Sequence, residues 1–232
     1  MTEPRRQLIT VAQPRAGNEV QAVALVLHGG RDRSMEPVRG NQLAVLRMVP
    51  FARRLAADGR LAVLRLRFGV RGWNGTMMSP VADASWALAQ LAERYPDRPI
   101  GLVGHSMGGR TALRAAGHRQ VRSVVGLAPW LPPGEPADQL AGRRVLLAHG
   151  DHDRMTSAAA TGRFTEQLRA AGIAASYVTV RGEGHAMLRR AKLWHDLTAG
   201  FLLGTLLADA GEPGPLSEYL QQAIHGTARV VV

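Results

Sequence analysis

The sequence contains no cysteine. That excludes disulfides, thiolate metal sites and a cysteine nucleophile together. Lysine is almost missing too: Lys192 is the single one, and arginine supplies the rest of the 29 basic residues. Against 18 acidic residues they give a net charge of +11. Aromatic residues make up only 5% of the chain, and the arginines never run more than two in a row. With no stacking platform among the cations, specific nucleic-acid binding is not expected. The charge predicts solubility and a weak attraction to polyanions. Long apolar runs are lacking as well. The longest, Leu197 to Ala208, is too short to span a bilayer and contains Gly200 and Gly204. The start, MTEPRRQLITV, has charge but no apolar segment behind it, so no signal peptide is read there. The expectation is a soluble, cytoplasmic protein with no membrane partner.

What is present is a repeating unit: a short apolar run, a turn, then a helical stretch. With 232 residues and 46% hydrophobic content, the chain is long enough for one domain with a real core. Strands are predicted at Ala22–Leu27, Leu61–Leu66, Ile100–Val103, Val121–Leu127, Val145–Ala148 and Ala175–Val180, with Leu8–Val11 as a further edge strand. Helices are predicted at Leu43–Ala57, Val81–Arg94, Met107–Ala116, Ser157–Ala171 and Leu188–Leu207. Ser79-Pro80 reads as an N-cap followed by proline at the first helical position, and Gly59 and Gly172 as helix C-termini.

The alternation implies an α/β fold: a doubly wound, mostly parallel sheet of about six to seven strands with helices on both faces. Residues 1–232 form a single domain, with its core at 20–208 and a C-terminal extension at 211–232. That extension is read as a short helix, Leu216–Ile224, and a tail ending in three valines. The tail is either an added surface element or a contact in a homodimer.

In such a sheet the chemistry belongs on the loops that leave the carboxyl ends of the strands. Ile100–Val103 runs into Gly104-His105-Ser106-Met107-Gly108-Gly109 and then a helix. This is a GxSxG turn in the strand–turn–helix setting that lifts a serine Oγ clear of the sheet. Ser106 is the candidate nucleophile, and the Met107 N–H at the helix start faces any oxyanion formed there. A dinucleotide or phosphate loop fits worse, since no GxGxxG is present and no Walker lysine follows. The first long strand ends in His28-Gly29-Gly30-Arg31. The second oxyanion donor is assigned to the Gly30 N–H, with Arg31 as its near competitor. His28 reads as a brace for the loop.

The strand Val145–Ala148 leads into His149-Gly150-Asp151-His152-Asp153. A triad acid should sit just past this strand. Asp153 is favoured, far enough along the turn to point back; Asp151, the alternative, reads as shaping the turn. The next strand leads into Gly182-Glu183-Gly184-His185. His105, His118, His152, His195 and His225 sit elsewhere, so His185 is the candidate base. The cluster HGDHD has ligand-type residues but no third partner at a helical or hairpin spacing, so neither a metal nor a cofactor is expected. Arg31, Arg33 and Arg71, with Trp73 and Trp130, fall on crevice-side loops. They are candidates for holding an anionic group and an acyl group of a substrate.

The order Ser106, Asp153, His185 and the motifs HGG at 28–30, GHSMGG at 104–109, HGDHD at 149–153 and GEGH at 182–185 resemble the α/β-hydrolase family across residues 20 to 208. The chain is most similar to the small, lid-poor branch around dienelactone hydrolases and small carboxylesterases. Dienelactone hydrolases proper use cysteine where this sequence has Ser106, and the oxyanion loop is HGGR where some lipases and esterases have HGGG. The resemblance implies cofactor-free hydrolysis of small acyl esters or thioesters through an acyl-enzyme. Acyl transfer or perhydrolysis by the same triad is one alternative, and a non-catalytic binder of anionic ligands is another. A cap domain would enter after Val121–Leu127; only Pro129 to Gly142 lies there, stiffened by Pro132, Pro133 and Pro136, so no full lid is expected.

Overall fold

In the computed structural model, residues 5–14, 19–207, 221 and 229–232 are described. Among these residues eight strands form one sheet: β1 (Gln7–Ala12), β2 (Ala22–Leu27), β3 (Leu61–Arg67), β4 (Ile100–His105), β5 (Val121–Leu127), β6 (Arg144–Gly150), β7 (Ala174–Val180) and β8 (Arg229–Val231). Their order across the sheet is β1-β3-β2-β4-β5-β6-β7-β8. Only β1 runs antiparallel, against β3; every other pair is parallel.

The central strands are apolar along their whole length because both faces are covered. Alternate residues go to opposite layers. Val23, Leu25 and Leu27 of β2 pack with Leu64, Leu102 and Leu147 beneath one set of helices. These are α3 (Ser79–Arg94), α4 (Met107–Ala115) and α5 (Ala158–Ala170). Ala22, Ala24 and Val26 face the other layer, α2 (Val49–Ala56) and α6 (Ala191–Leu206), where Phe51, Trp194 and Phe201 are fully buried. Each such aromatic contributes roughly 2–3 kcal/mol relative to exposure. Among the described residues no helix is long and apolar enough to cross a membrane.

The structure corrects several expected boundaries. The single helix expected over Leu43–Ala57 is two, α1 (Leu43–Arg47) and α2, joined at Met48. Pro50 stands in the first turn of α2, where it has no N–H to carry the hydrogen-bond ladder across the junction. Ser79 is the first residue of α3 rather than its cap. The cap position is Met78 in a left-handed conformation (φ 44°), and the Ser79 hydroxyl accepts from Asn74 Nδ2 at 3.1 Å. The strand count among the described residues is eight: the edge strand expected at Leu8–Val11 is present as β1, and β8 adds one at the opposite edge. At one end β1 pairs with β3; at the other, the tail valines lie parallel to β7, with the Val232 N–H on the Thr179 carbonyl at 3.0 Å. The helix expected at Leu216–Ile224 lies outside the described residues apart from Gln221, which is helical, and His225 lies outside them too.

Gly172 closes α5 as expected. With φ of +73° it lets its own N–H reach the Arg169 carbonyl and that of Ile173 reach Leu168, the paired bonds that end a helix on a left-handed residue. Between the adjacent parallel strands β5 and β6 the chain passes over one face of the sheet in residues 128–143, with one short 3-10 turn, Asp138–Leu140. That connection is too short to hold a lid domain.

Candidate active site

Ser106 sits between β4 and α4 with φ 57° and ψ −119°, a conformation that costs an L-residue of order 1–3 kcal/mol. The surroundings hold it there. Its N–H donates to the Leu127 carbonyl at 3.0 Å, and its carbonyl accepts from Trp130 and Arg110 at 3.1 and 3.2 Å. The turn is so tight that a Cβ at Gly104 would stand 2.0 Å from the Gly108 carbonyl oxygen. Met107, as the first helical residue, has an N–H with no partner inside the helix. Among the described residues nothing accepts from the Gly30 N–H either, whereas the Arg31 N–H is donated to the Arg71 carbonyl at 2.8 Å. Of the two residues weighed for the second oxyanion donor, Gly30 is thus the one with a free amide. A side chain there would meet the Met107 methyl at 2.3 Å and the Arg71 carbonyl at 2.4 Å.

The loops after β6 and β7 are clipped together by the His152 N–H on the Glu183 carbonyl at 3.0 Å and the Gly182 N–H on Asp151 Oδ1 at 2.7 Å. Asp151 therefore braces the two loops. Asp153 instead turns inward: its Oδ2 is 2.8 Å from His185 Nδ1, and the carboxylate is fully buried. Burial by itself would raise the Asp153 pKa. Hydrogen bonds from the Thr156 amide, His185, the Met155 amide and the Thr156 hydroxyl outweigh it and hold the carboxyl down at about 2. Asp153 is thus an anion at neutral pH, and His185 presents Nδ1 to it with Nε2 on the opposite side of the ring. The His185 ring is packed against the residue that precedes Ser106: the His105 ring lies 4.6 Å from it, and His105 Nε2 donates to the His185 carbonyl at 2.9 Å. No hydrogen bond joins the Ser106 hydroxyl to His185 among the described residues, a looseness common before substrate binds.

Two buried histidines are electrically silent. Burial lowers His28 to about 4, and its Nε2 accepts from the Phe68 N–H at 3.2 Å while Nδ1 donates to the Gly29 carbonyl at 2.6 Å. It ties the loop that follows β2 to the end of β3. Burial lowers His105 further, to about 3.

The residues read from sequence as substrate contacts are placed differently from one another. Arg31 is exposed, and Arg71 is paired with the Glu36 carboxylate. Trp73 keeps only 3% of its surface, which leaves little of its ring for a ligand. Its face is taken by the Arg110 guanidinium, 3.8 Å from the ring centroid; the same guanidinium lies 4.7 Å from the Trp130 ring, which stands edge-to-face with Trp73 at 6.0 Å. Arg110 and Arg114 both pair with the buried Glu135, so the connection over residues 128–143 is anchored to α4, the helix that follows Ser106. Sequence reasoning missed Arg110. It missed His149 and Thr156 as well, which lie beside Asp153: His149 Nε2 is 3.1 Å and the Thr156 hydroxyl 2.8 Å from Oδ2. The loops carry exposed apolar side chains too. Met35, Met77, Met155 and Leu188 stand on the segments that follow β2, β3, β6 and β7. A cleft of about 650 Å³ adjoins Asp153, lined by Asp151, Arg154, Glu183, Met187 and Arg189 among others.

A doubly wound parallel sheet with a strained serine at the turn after its central strand defines a hydrolase fold. The chain belongs to the α/β-hydrolase fold family, whose sequence profile matches residues 28–165. No curated protein matches the sequence. Among solved structures it is similar to an α/β serine hydrolase homologue from Coxiella burnetii (19% identity, TM-score 0.65, covering 84% of this chain and 90% of that one). It is also similar to a lid-less α/β serine hydrolase from Xanthomonas campestris (19%, TM-score 0.59, 90% of each chain). A propionate-bound thermophilic esterase from Thermogutta terrifontis aligns at 16% identity with a TM-score of 0.62 over 91% of each chain. At these identities the likeness is one of fold.

Proposed function

We propose that the protein is a serine hydrolase that cleaves small acyl esters or thioesters without a cofactor. One observation carries this reading: an ionised, buried Asp153 holds His185 by Nδ1, and the His185 ring packs on His105, the residue before a strained Ser106. In the reaction His185 Nε2 takes the Ser106 proton as Oγ attacks the acyl carbonyl. Asp153 fixes the tautomer and stabilises the imidazolium that forms. The amides of Met107 and Gly30 receive the oxyanion, His185 returns its proton to the leaving group, and water activated by the same ring releases the acid. The exposed apolar side chains on the crevice loops suit an acyl group, and the short connection over residues 128–143 suits small, accessible substrates.

The test is intact mass after treatment with a fluorophosphonate, on wild type and Ser106→Ala, beside hydrolysis of short p-nitrophenyl esters. A single adduct that vanishes in the variant, with turnover lowered about 10³-fold or more by Ser106→Ala and His185→Ala, is expected. Folded wild type that takes no adduct would overturn the assignment.

A further inference from the structure

Asp153 is surrounded by more donors than an acid that only orients one histidine requires. Oδ1 accepts the Met155 and Thr156 amides at 2.7 and 3.0 Å. Oδ2 faces His185 Nδ1 at 2.8 Å, the Thr156 hydroxyl at 2.8 Å and His149 Nε2 at 3.1 Å. Neither Asp153 nor His149 has any side-chain surface open to water.

The protons can be placed from the partners. A ring nitrogen 3.1 Å from a buried carboxylate oxygen must carry hydrogen, or two lone pairs would oppose each other with no water to intervene. Burial, the leading influence on His149, lowers its pKa and disfavours the imidazolium. His149 is therefore neutral, protonated on Nε2, with Nδ1 accepting from the Thr161 hydroxyl at 2.8 Å; the competing Ser157 carbonyl is 3.3 Å from that hydroxyl. Thr156 has one hydroxyl proton. Asp153 Oδ2 at 2.8 Å is closer than the Ala128 carbonyl at 3.2 Å, and it is charged.

We propose that His149 and Thr156 are positioning residues of the triad, donating to the carboxylate oxygen that holds His185 and so fixing its direction and limiting its basicity. This rests on the reading of Asp153 and His185 as acid and base. A carboxylate oxygen shared among three donors stabilises an imidazolium opposite it less than an unshared one does. The cation formed at His185 then returns its proton to the leaving group more readily. The other groups facing this cluster are His105 from β4, against the His185 ring, and Thr161 from α5, against His149. Arg47 from α1 acts electrostatically on His105.

The signature is a displaced pH profile. Thr156→Val and His149→Leu each remove one donor, while Thr156→Ser and His149→Gln keep one within reach of Oδ2. Hydrolysis of short p-nitrophenyl esters should show kcat lowered about tenfold in the first pair with KM changed less than about twofold. The acid limb of kcat/KM should move to higher pH by about half a unit or more, because the bared oxygen is more basic. The second pair should restore both. A folded Thr156→Val with wild-type kcat and wild-type acid limb would overturn the proposal, as would a limb displaced to lower pH. Nitrogen-15 NMR of the imidazoles reads it without turnover. His149 should be neutral and protonated on Nε2 from pH 6 to 8; an Nδ1–H tautomer or an imidazolium would sink it. Absence of the serine adduct, by contrast, would strike the esterase reading and leave the tautomer result standing.

Discussion

A Cβ added at Gly108 would stand 2.4 Å from the His28 carbonyl oxygen and 2.7 Å from that of Leu27. Backbone, not a side-chain end, is in the way, so Gly108→Ala must shift either the turn at Ser106 or the loop that follows β2. The expected outcome is a loss of about 1–3 kcal/mol in urea unfolding, with kcat/KM reduced far beyond what that loss explains. Asp153→Asn keeps the shape of the acid but removes its charge; turnover should fall less than in His185→Ala, and Asp151→Asn should cost far less than either. If Asp151→Asn were the more damaging, the acid would be misassigned. The candidate acid and base were legible because each stands a fixed few residues past an apolar strand. His149 and Thr156 were not. Nothing in HGDHD says that the strand's last histidine points at the same oxygen as a histidine on the next loop, since that meeting depends on β6 and β7 being neighbours in the sheet. Trp73 was misleading for a similar reason: its position on a crevice loop is a sequence fact, but its burial against Arg110 is a tertiary one.

At the scale of elements, the parallel strands declared themselves as continuous apolar runs, and the helices between them by their period. The ends were harder. Pro50, which has no N–H to continue the ladder, separates one expected helix into two, and a left-handed Met78 takes the cap position while the Ser79 hydroxyl is engaged by Asn74. β8 was unreadable, as a three-residue strand has no period to detect. The connection from β5 to β6 gives a direct test of its anchoring. Glu135 is 4% exposed at its side chain and neutralises both Arg110 and Arg114. Glu135→Ala should lower unfolding stability by about 3–5 kcal/mol, since two cations lose their partner, one of them buried; a change within experimental error would show the cluster to be dispensable.

For the whole molecule, acid sensitivity follows from its buried histidines. His28 and His105 have folded values near 4 and 3, below the ordinary 6.5, so the unfolded chain binds protons that the folded one refuses. Stability therefore falls as pH falls through 6.5 toward 4, and from pH 7 to pH 5 these two together withdraw up to about 4 kcal/mol. Asp153, with a folded value near 2, adds its own loss only below about pH 4. Calorimetry should find Tm lower by roughly 10 °C at pH 5 than at pH 7; an unchanged Tm would mean that these imidazoles are not buried as neutral groups. With residues 128–143 as the sole link between β5 and β6, ester hydrolysis should also show no jump in rate as substrate passes into micelles.

The backbone strain at Ser106 has one more consequence. Glycine adopts a φ of 57° at little cost, so Ser106→Gly should fold into the same elbow and be more stable by about 1 kcal/mol, even after glycine's entropy is charged against it. A population of variants sorted by heat resistance alone would thus drift toward losing this serine, and with it the proposed nucleophile. Any effort to evolve a hardier form of this protein has to screen for turnover in every round.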